Sequence, residues 1–372
     1  MAKAYIWQNS NWPKFTWKDK DLISLLSEAR KLQGQLIAQV DLLGLSDQAS
    51  LIADEAINTS AIEGEKLDIQ SLRSSIAKRL KITATSTKNT NSKLTDGIVD
   101  VLLDATSNYQ KELTLDRINN WHASLFSDTA KVNQLEIGKV RTSIEPMQVL
   151  SGSFEKPIVH FEAPPAKSLQ KEIKEFLKWW NEDQKIDGLL RAGIAHLWFI
   201  TLHPYDDGNG RITRALTEMA LAQDEKTGRR LYSISTQILK ERAAYYEILE
   251  KTQKSNIDIT PWLAWFLKIL IKAFTQSQAV IKKSHYLSTF WQRPETIDLN
   301  ERQRKVLKKM LETEPEPFLG GMTNKKYVSI TGTSRESAKR DLAELESKGI
   351  LNLKGKGRSV NYNLAELFKF KA

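Results

Sequence analysis

The stretch His203-Pro204-Tyr205-Asp206-Asp207-Gly208-Asn209-Gly210-Arg211-Ile212-Thr213-Arg214 decides how this chain is read. It gathers a histidine, a carboxylate, a glycine-rich turn and two arginines in one short segment. That is the inventory needed to hold a nucleotide's phosphates and move one of its groups. His203 supplies a base that titrates near neutrality. Asp207 supplies a carboxylate suited to a hard cation. The Gly208-Asn209-Gly210 turn supplies backbone N–H groups, and Arg211 and Arg214 supply positive charge.

The flanking pattern fits this inventory. Residues 189–202 are almost wholly apolar and too few to span a membrane, which reads as a buried helix. Pro204 disfavours helical geometry at His203, so the helix ends there. Residues 211–222 read as a second helix, with Asn209 as its N-cap. A glycine-rich turn opening a helix is an anion site, because unpaired N–H groups and the helix dipole both point outward. Arg211 and Arg214 are three residues apart and share one helix face. Singly, each feature has a bland alternative: a structural histidine, a surface turn, a solvated pair of arginines. Their joint occurrence in this order is much harder to obtain by chance.

The segment resembles the Fic-domain signature, His-x-Phe-x-(Asp/Glu)-Gly-Asn-Gly-Arg-x-x-Arg. Tyr205 stands where that family usually has Phe; it keeps the aromatic anchor and adds a hydroxyl, with little expected consequence. Members that act as kinases carry a Lys near Gly210, so the resemblance is to the adenylylating branch. Such enzymes are nucleotidyltransferases that move AMP from ATP to a Ser, Thr or Tyr hydroxyl of a target protein. The resemblance implies a role for each matching position. His203 would deprotonate the acceptor hydroxyl. Asp207 would hold Mg²⁺. Asn209 and Arg211 would grip the α- and β-phosphates, and Arg214 the γ-phosphate, with Gly208 and Gly210 opening the turn. This is positioning and electrostatic stabilisation, as in other phosphoryl-type transfers.

A second motif, Thr59-Ser60-Ala61-Ile62-Glu63-Gly64, resembles the family's inhibitory signature, (Ser/Thr)-x-x-x-Glu-(Gly/Asn). A helix starting at Ser46 or Asp47 and running through Leu51, Ile52, Ala56 and Ile57 ends with Gly64 as its cap. Glu63 then sits at a helix C-terminus, where its charge opposes the macrodipole. The resemblance supplies a partner, Arg214, whose pairing with Glu63 would occupy the γ-phosphate's anchor. In some relatives this glutamate also positions water to remove AMP. The alternatives are a capping box of Ser60 and Glu63, or a solvated side chain.

Two regions match less specifically. Residues 140–153 and 158–161, ahead of Pro164-Pro165, read as a β-hairpin followed by a proline stop; in the family this flap docks the target segment by strand pairing. Tyr245, Tyr246 and Gln253 lie where relatives line the adenine pocket, although tyrosines at helical spacing are more often core.

The chain has 372 residues, a net charge of +10, 41% hydrophobic residues and no cysteine. The length calls for two or three domains. The absence of cysteine excludes disulfides, thiolate metal sites and thiol nucleophiles. Five histidines without paired spacing argue against zinc. No apolar run has membrane length and residues 1–7 are no signal peptide, so the cytoplasm is the expected compartment. Trp7, Trp12, Phe15 and Trp17 form an aromatic N-terminal segment, either a small domain of the kind preceding many bacterial Fic cores or a clamp on the body. Residues 84–92 read as a polar loop.

The composition shifts near residue 297. From Asp298 to Ala372 there are 16 Lys and Arg against 10 Asp and Glu, which is six of the net +10. The order helix, helix, turn, helix, hairpin resembles a winged helix-turn-helix. Ser334 would cap a recognition helix displaying Arg335, Lys339 and Arg340, and the wing tip would display Lys354, Lys356 and Arg358. Such domains bind DNA or serve protein contacts, and Glu336, Asp341, Glu344 and Glu346 dilute the field.

The expected fold is therefore mainly α: helical material carrying the inhibitory motif (1–95), a Fic catalytic core with a flap hairpin (96–295), and a winged-helix domain (296–372). The expected function is an autoinhibited protein adenylyltransferase using ATP and Mg²⁺ on a target protein, with a homodimer implied by the resemblance. One alternative is a DNA-binding transcriptional regulator whose core senses nucleotide. Another is a different transfer chemistry, such as phosphorylation, on the same core.

Overall fold

The computed structural model describes residues 5–39, 45–81, 93–127, 136–153, 156–182, 185–314, 316 and 318–370. The stretch 84–92, expected to be a loop, lies outside them. The described residues are mainly helical, with two two-stranded antiparallel hairpins. The chain divides into two compact units, Met1–Ser277 and Gln278–Ala372.

The first unit opens with α1 (Asp19–Ile37), α2 (Leu45–Ile62), α3 (Ile69–Arg79), α4 (Lys93–Ser107) and α5 (Leu115–Leu125). The hairpin of β1 (Gln148–Ser153) and β2 (Lys156–Glu162) follows, then α6 (Ala166–Asn181), α7 (Gly188–Leu202), α8 (Asn209–Glu225), α9 (Ile234–Lys240) and α10 (Arg242–Gln253). A long helix, α11 (Thr260–Trp291), belongs to the first unit up to Ser277 and to the second beyond it.

The centre of the first unit is α7. Every residue from Leu189 to Leu202 is buried except Arg191, and a helix apolar all round belongs in a core. It packs on α8 and α6, and Trp262 of α11 donates its indole N–H to the Gly193 carbonyl at 2.8 Å. A Cβ at Gly193 would stand 3.0 Å from Leu263 and Phe266, so glycine sets how closely α11 approaches. His196 ties α7 to α8 and α10, through the Thr217 hydroxyl at 2.9 Å and the Tyr245 hydroxyl at 3.0 Å. Burial lowers its pKa to about 3, so it is a neutral core residue. The N-terminal aromatics clamp this body: Trp12 and Phe15 meet Trp198 edge-on, and the Trp7 indole donates to the Glu162 carbonyl.

In the second unit α12 (Pro294–Ile297), α13 (Glu301–Thr313), α14 (Asn324–Thr331) and α15 (Arg335–Ser347) precede the hairpin β3 (Leu351–Lys354) and β4 (Asn361–Leu364). Ser334 caps α15 by accepting from the Ser337 N–H. Val306, Leu307, Met310, Tyr327, Leu342 and Leu345 form its core. Asp341 is turned inward, contrary to its expected place on the exposed face. It accepts from Arg302 at 2.8 Å, Tyr327 at 2.8 Å and Asn300 at 3.1 Å. Arg335, Lys339, Arg340, Lys354 and Lys356 are exposed; of Arg358 only the backbone is described.

Candidate active site

The site is built where α7 stops and α8 starts. Asp187 begins α7 by accepting from the Leu189 and Leu190 N–H groups. The helix ends on His203, whose backbone is left-handed, φ 48° and ψ 55°. A residue before proline prefers extended backbone, so this conformation has to be held. Arg141 holds it. Its backbone N–H donates to the Pro204 carbonyl at 2.9 Å, and its guanidinium donates to the carbonyls of His203 (2.8 Å) and Pro164 (2.6 Å). Strain held by the surrounding structure is common at working sites. It also explains why residues 140–147 are not strand, as the sequence suggests: they brace the loop, and β1 begins only at Gln148.

Gly208, with φ 80°, is the N-cap of α8 and has no side chain to cap with. Asn209 was expected there; it is instead the first helical residue. Its carboxamide staples the turn, accepting from the Tyr205 N–H at 3.0 Å and donating to the Tyr205 carbonyl at 2.7 Å. The Tyr205 ring stacks on His122 with centroids 4.1 Å apart, and its hydroxyl donates to Asn119 Oδ1 at 2.8 Å, so the hydroxyl is used and a Phe would forfeit a bond. His122 also bonds the Asp207 carbonyl, at 3.1 Å.

The two arginines are buried, Arg211 to 2% exposure and Arg214 to 0%. Arg214 donates to the Thr59 hydroxyl at 2.6 Å, the Thr59 carbonyl at 2.9 Å and Glu63 Oε1 at 2.7 Å. Burial works against its charge, but Glu63 beside it more than offsets this and the pKa is raised. Arg211 donates to Glu65 Oε2 at 2.7 Å and lies over the Phe126 ring. Each guanidinium also keeps one buried N–H with no protein partner, Arg211 Nε and Arg214 Nη1. Buried donors of this kind call for an acceptor, and an anion is the natural one.

Glu63 arrives as the sequence pattern suggests. α2 ends at Ile62, and Gly64 (φ 84°) turns the chain. The Gly64 N–H returns to the Ala61 carbonyl and the Glu65 N–H to the Ser60 carbonyl, the paired bonds of a glycine-terminated helix. Ser60 lies inside α2, so it is not a cap; Asp68 caps the next helix. Arg242 donates to the Ile62 carbonyl at 2.8 Å, Asn58 donates to Thr236, and Glu55 accepts from Ser233 and Ser235. Gly210 makes room: a Cβ there would lie 2.0 Å from Glu63 Oε1.

A cleft of about 700 Å³ opens beside this turn. His203, Gly210 and Glu63 line it together with Tyr245, Tyr246 and Gln253. The hairpin forms another wall, where the Ser151 hydroxyl bonds His160 at 2.5 Å and His160 bonds Glu250 of α10 at 2.7 Å. Burial holds the His203 imidazole down to about 4, so it is neutral at neutral pH. Asp207 is 40% exposed and accepts from the Gly208 N–H at 2.6 Å. Among the described residues no group of three or more His, Asp or Glu could hold a metal. Magnesium typically uses one or two carboxylates plus phosphate oxygens, and a single half-exposed carboxylate beside an anion site fits that.

Residues 112–221 match the model of the Fic/DOC family, and residues 5–82 match a domain of unknown function, DUF4172. The chain carries a Fic/DOC family domain. Among curated proteins, protein adenylyltransferase fic-1 of Caenorhabditis elegans is 26% identical over 168 residues, which is 44% of this chain and 30% of that protein. A probable protein adenylyltransferase of Aquifex aeolicus is 23% identical over 172 residues, 46% of this chain and 50% of that protein. The matched region thus spans half or less of these relatives. A Fic family protein from Desulfovibrio desulfuricans G20 has the same fold, with a TM-score of 0.57 at 17% identity over 95% of this chain and 98% of that one. C. elegans Fic-1 has a TM-score of 0.50 at 21% identity over 71% and 76%. The Fic match covers α5 to most of α8, and so the whole turn from His203 to Arg214. Arg141, His122, Asn119 and Glu65 were missed by sequence reasoning. Their contacts reach across 62 to 146 positions of chain and leave no local pattern.

Proposed function

We propose that this protein is an adenylyltransferase that moves AMP from ATP to a hydroxyl of a target protein and is inhibited by its own Glu63. The observation that carries the proposal is the anion site opening α8. Two buried arginines sit there with partly unpaired guanidinium groups, and Glu63, which pairs with one of them, lines one cleft with a neutral histidine. The relatives named protein adenylyltransferase support the same chemistry. The N–H groups of the first turn of α8, with Arg211 and Arg214, bind the phosphate chain and stabilise its developing charge. Asp207 would hold Mg²⁺, which would supply neutralisation of phosphate charge. His203 takes the proton from the acceptor hydroxyl as its oxygen attacks the α-phosphorus and pyrophosphate departs. Tyr245, Tyr246 and Gln253 wall the nucleoside end of the cleft. The test is incubation with α-³²P-ATP and Mg²⁺ of wild type, Glu63→Gly and Glu63→Gly/His203→Ala. Strong labelling of the single variant alone supports the proposal; no α-label in any of them sinks it.

The base sets the pH dependence. Burial depresses the His203 pKa from 6.5 to about 4, so the neutral form persists as pH falls below 6.5. In the relieved variant kcat/KM is expected to stay level from pH 8 to well below 6.5 and to fall only nearer the depressed value. An acid limb at 6.5 or above counts against His203 as the base. The sign for stability follows: a folded pKa below the unfolded one makes the fold lose stability as pH falls between the two.

A second reading concerns residues 278–372 and rests on the inward turn of Asp341, which leaves the exposed face of α15 more basic than its sequence. We infer a winged helix that contacts duplex DNA through Arg335, Lys339, Arg340 and the hairpin tip. Fluorescence anisotropy with a duplex should give an affinity that falls steeply with salt and drops on Lys339→Glu/Arg340→Glu. Affinity unchanged by that pair leaves a protein-contact role instead.

A further inference from the structure

We propose that Glu65 is a second inhibitory carboxylate, which occupies Arg211 as Glu63 occupies Arg214. The turn after α2 then withholds both arginines of the anion site together. The inference rests on the nucleotide-binding reading above and deepens it.

Arg211 is almost wholly buried, and a buried guanidinium needs a counter-charge. Glu65 provides it at 2.7 Å, a charge-assisted bond. Asp207 Oδ1 stands off at 3.9 Å from Nη2. The Phe126 ring lies under the guanidinium at 4.9 Å from its centroid, and Nε is buried without a partner. A phosphate entering here must displace Glu65 or share Arg211 with a carboxylate that repels it.

The turn makes the two carboxylates one device. Glu63 and Glu65 flank Gly64, and the Glu65 N–H is bonded back to Ser60 of α2. They sit on the same end of the same helix, so they arrive and leave with it. Both lie at the negative end of the α2 dipole, which disfavours both. The arginines offset that. Side-chain exposure of 31% for each shows two groups seated at the rim of the site rather than sealed in the core. A consequence follows for the single variant. Glu63→Gly frees Arg214 but leaves Arg211 occupied, so it relieves inhibition only in part.

The competing account is that Glu65 merely braces the turn that presents Glu63. A double-mutant cycle separates the two. The affinity of a non-hydrolysable ATP analogue with Mg²⁺ is measured by calorimetry for full-length wild type, Glu63→Gly, Glu65→Gln and the double variant. Thermal melts check that each is folded. If Glu65 competes directly, Glu65→Gln tightens binding by about tenfold in the Glu63→Gly background as well as in wild type, the scale of one charge-assisted bond. If it only braces Glu63, the second substitution changes nothing once Glu63 is gone, and the proposal falls while the nucleotide reading stands. Should Glu65→Gln fold poorly, Glu65→Ala gives the same comparison. Absence of analogue binding in all variants overturns the nucleotide reading and this proposal with it.

Discussion

In a chain relieved by Glu63→Gly, His203→Ala is expected to lower AMP transfer by about 10²- to 10⁴-fold, the usual contribution of a general base, with nucleotide affinity unchanged. The split follows from geometry. The proposed anion site consists of the α8 N-terminus, Arg211 and Arg214, and none of these depends on the imidazole for its place. The His203 side chain makes one long contact, Nδ1 to the Ile200 carbonyl at 3.3 Å. It is the backbone of His203 that Arg141 grips, and the backbone survives substitution by Ala. The loop should therefore keep its shape while the proton acceptor disappears. Transfer is measured with α-labelled ATP and binding by calorimetry on the same preparations. Equal losses in both would mean that His203 holds the loop rather than the proton. Undiminished transfer would remove it from the chemistry.

The elements that carry the site were legible because their signals are local. An unbroken apolar run reads as a buried helix, a proline after His203 marks its end, and glycines mark the turn. The edges of α7 and α8 fall close to where those signals put them. Gly64 behaves likewise, since a helix end with a left-handed glycine is a local device. What escaped was whatever depends on partners remote in sequence. Asn209 has the chemistry of a cap, but the same short carboxamide can staple a turn, and only the fold shows that Tyr205 takes both its ends. Arg141 sits in a stretch with poor strand alternation, which reads as an imperfect strand rather than as a brace. Glu65 looks like one more surface acid until the turn brings it to Arg211. Asp341 looks solvent-facing on charge alone, whereas Tyr327, Asn300 and Arg302 draw it inward.

Among single substitutions, Glu63→Gly is the one expected to raise activity most. It removes the carboxylate that Arg214 holds at 2.7 Å. A charge-assisted bond of roughly 1.5–3 kcal/mol corresponds to a gain of about 10- to 100-fold in transfer at subsaturating ATP. The gain has a cost in the absence of nucleotide. Arg214 stays buried, keeps its two bonds to Thr59, and loses its counter-charge. The unliganded variant should therefore melt below wild type. Nucleotide should then raise its melting temperature more than it raises that of wild type, because a ligand stabilises in proportion to how tightly the folded state binds it. Differential scanning fluorimetry with and without MgATP reads both shifts. The opposite signs are the diagnostic. A purely structural Glu63 would lower the melting temperature without enlarging the nucleotide shift, and a solvated one would move neither. Gly210 adds a geometric limit. A Cβ on residue 210 would stand 2.0 Å from Glu63 Oε1, so that one missing carbon opens the space in which, on the proposed function, Glu63 and phosphate would compete.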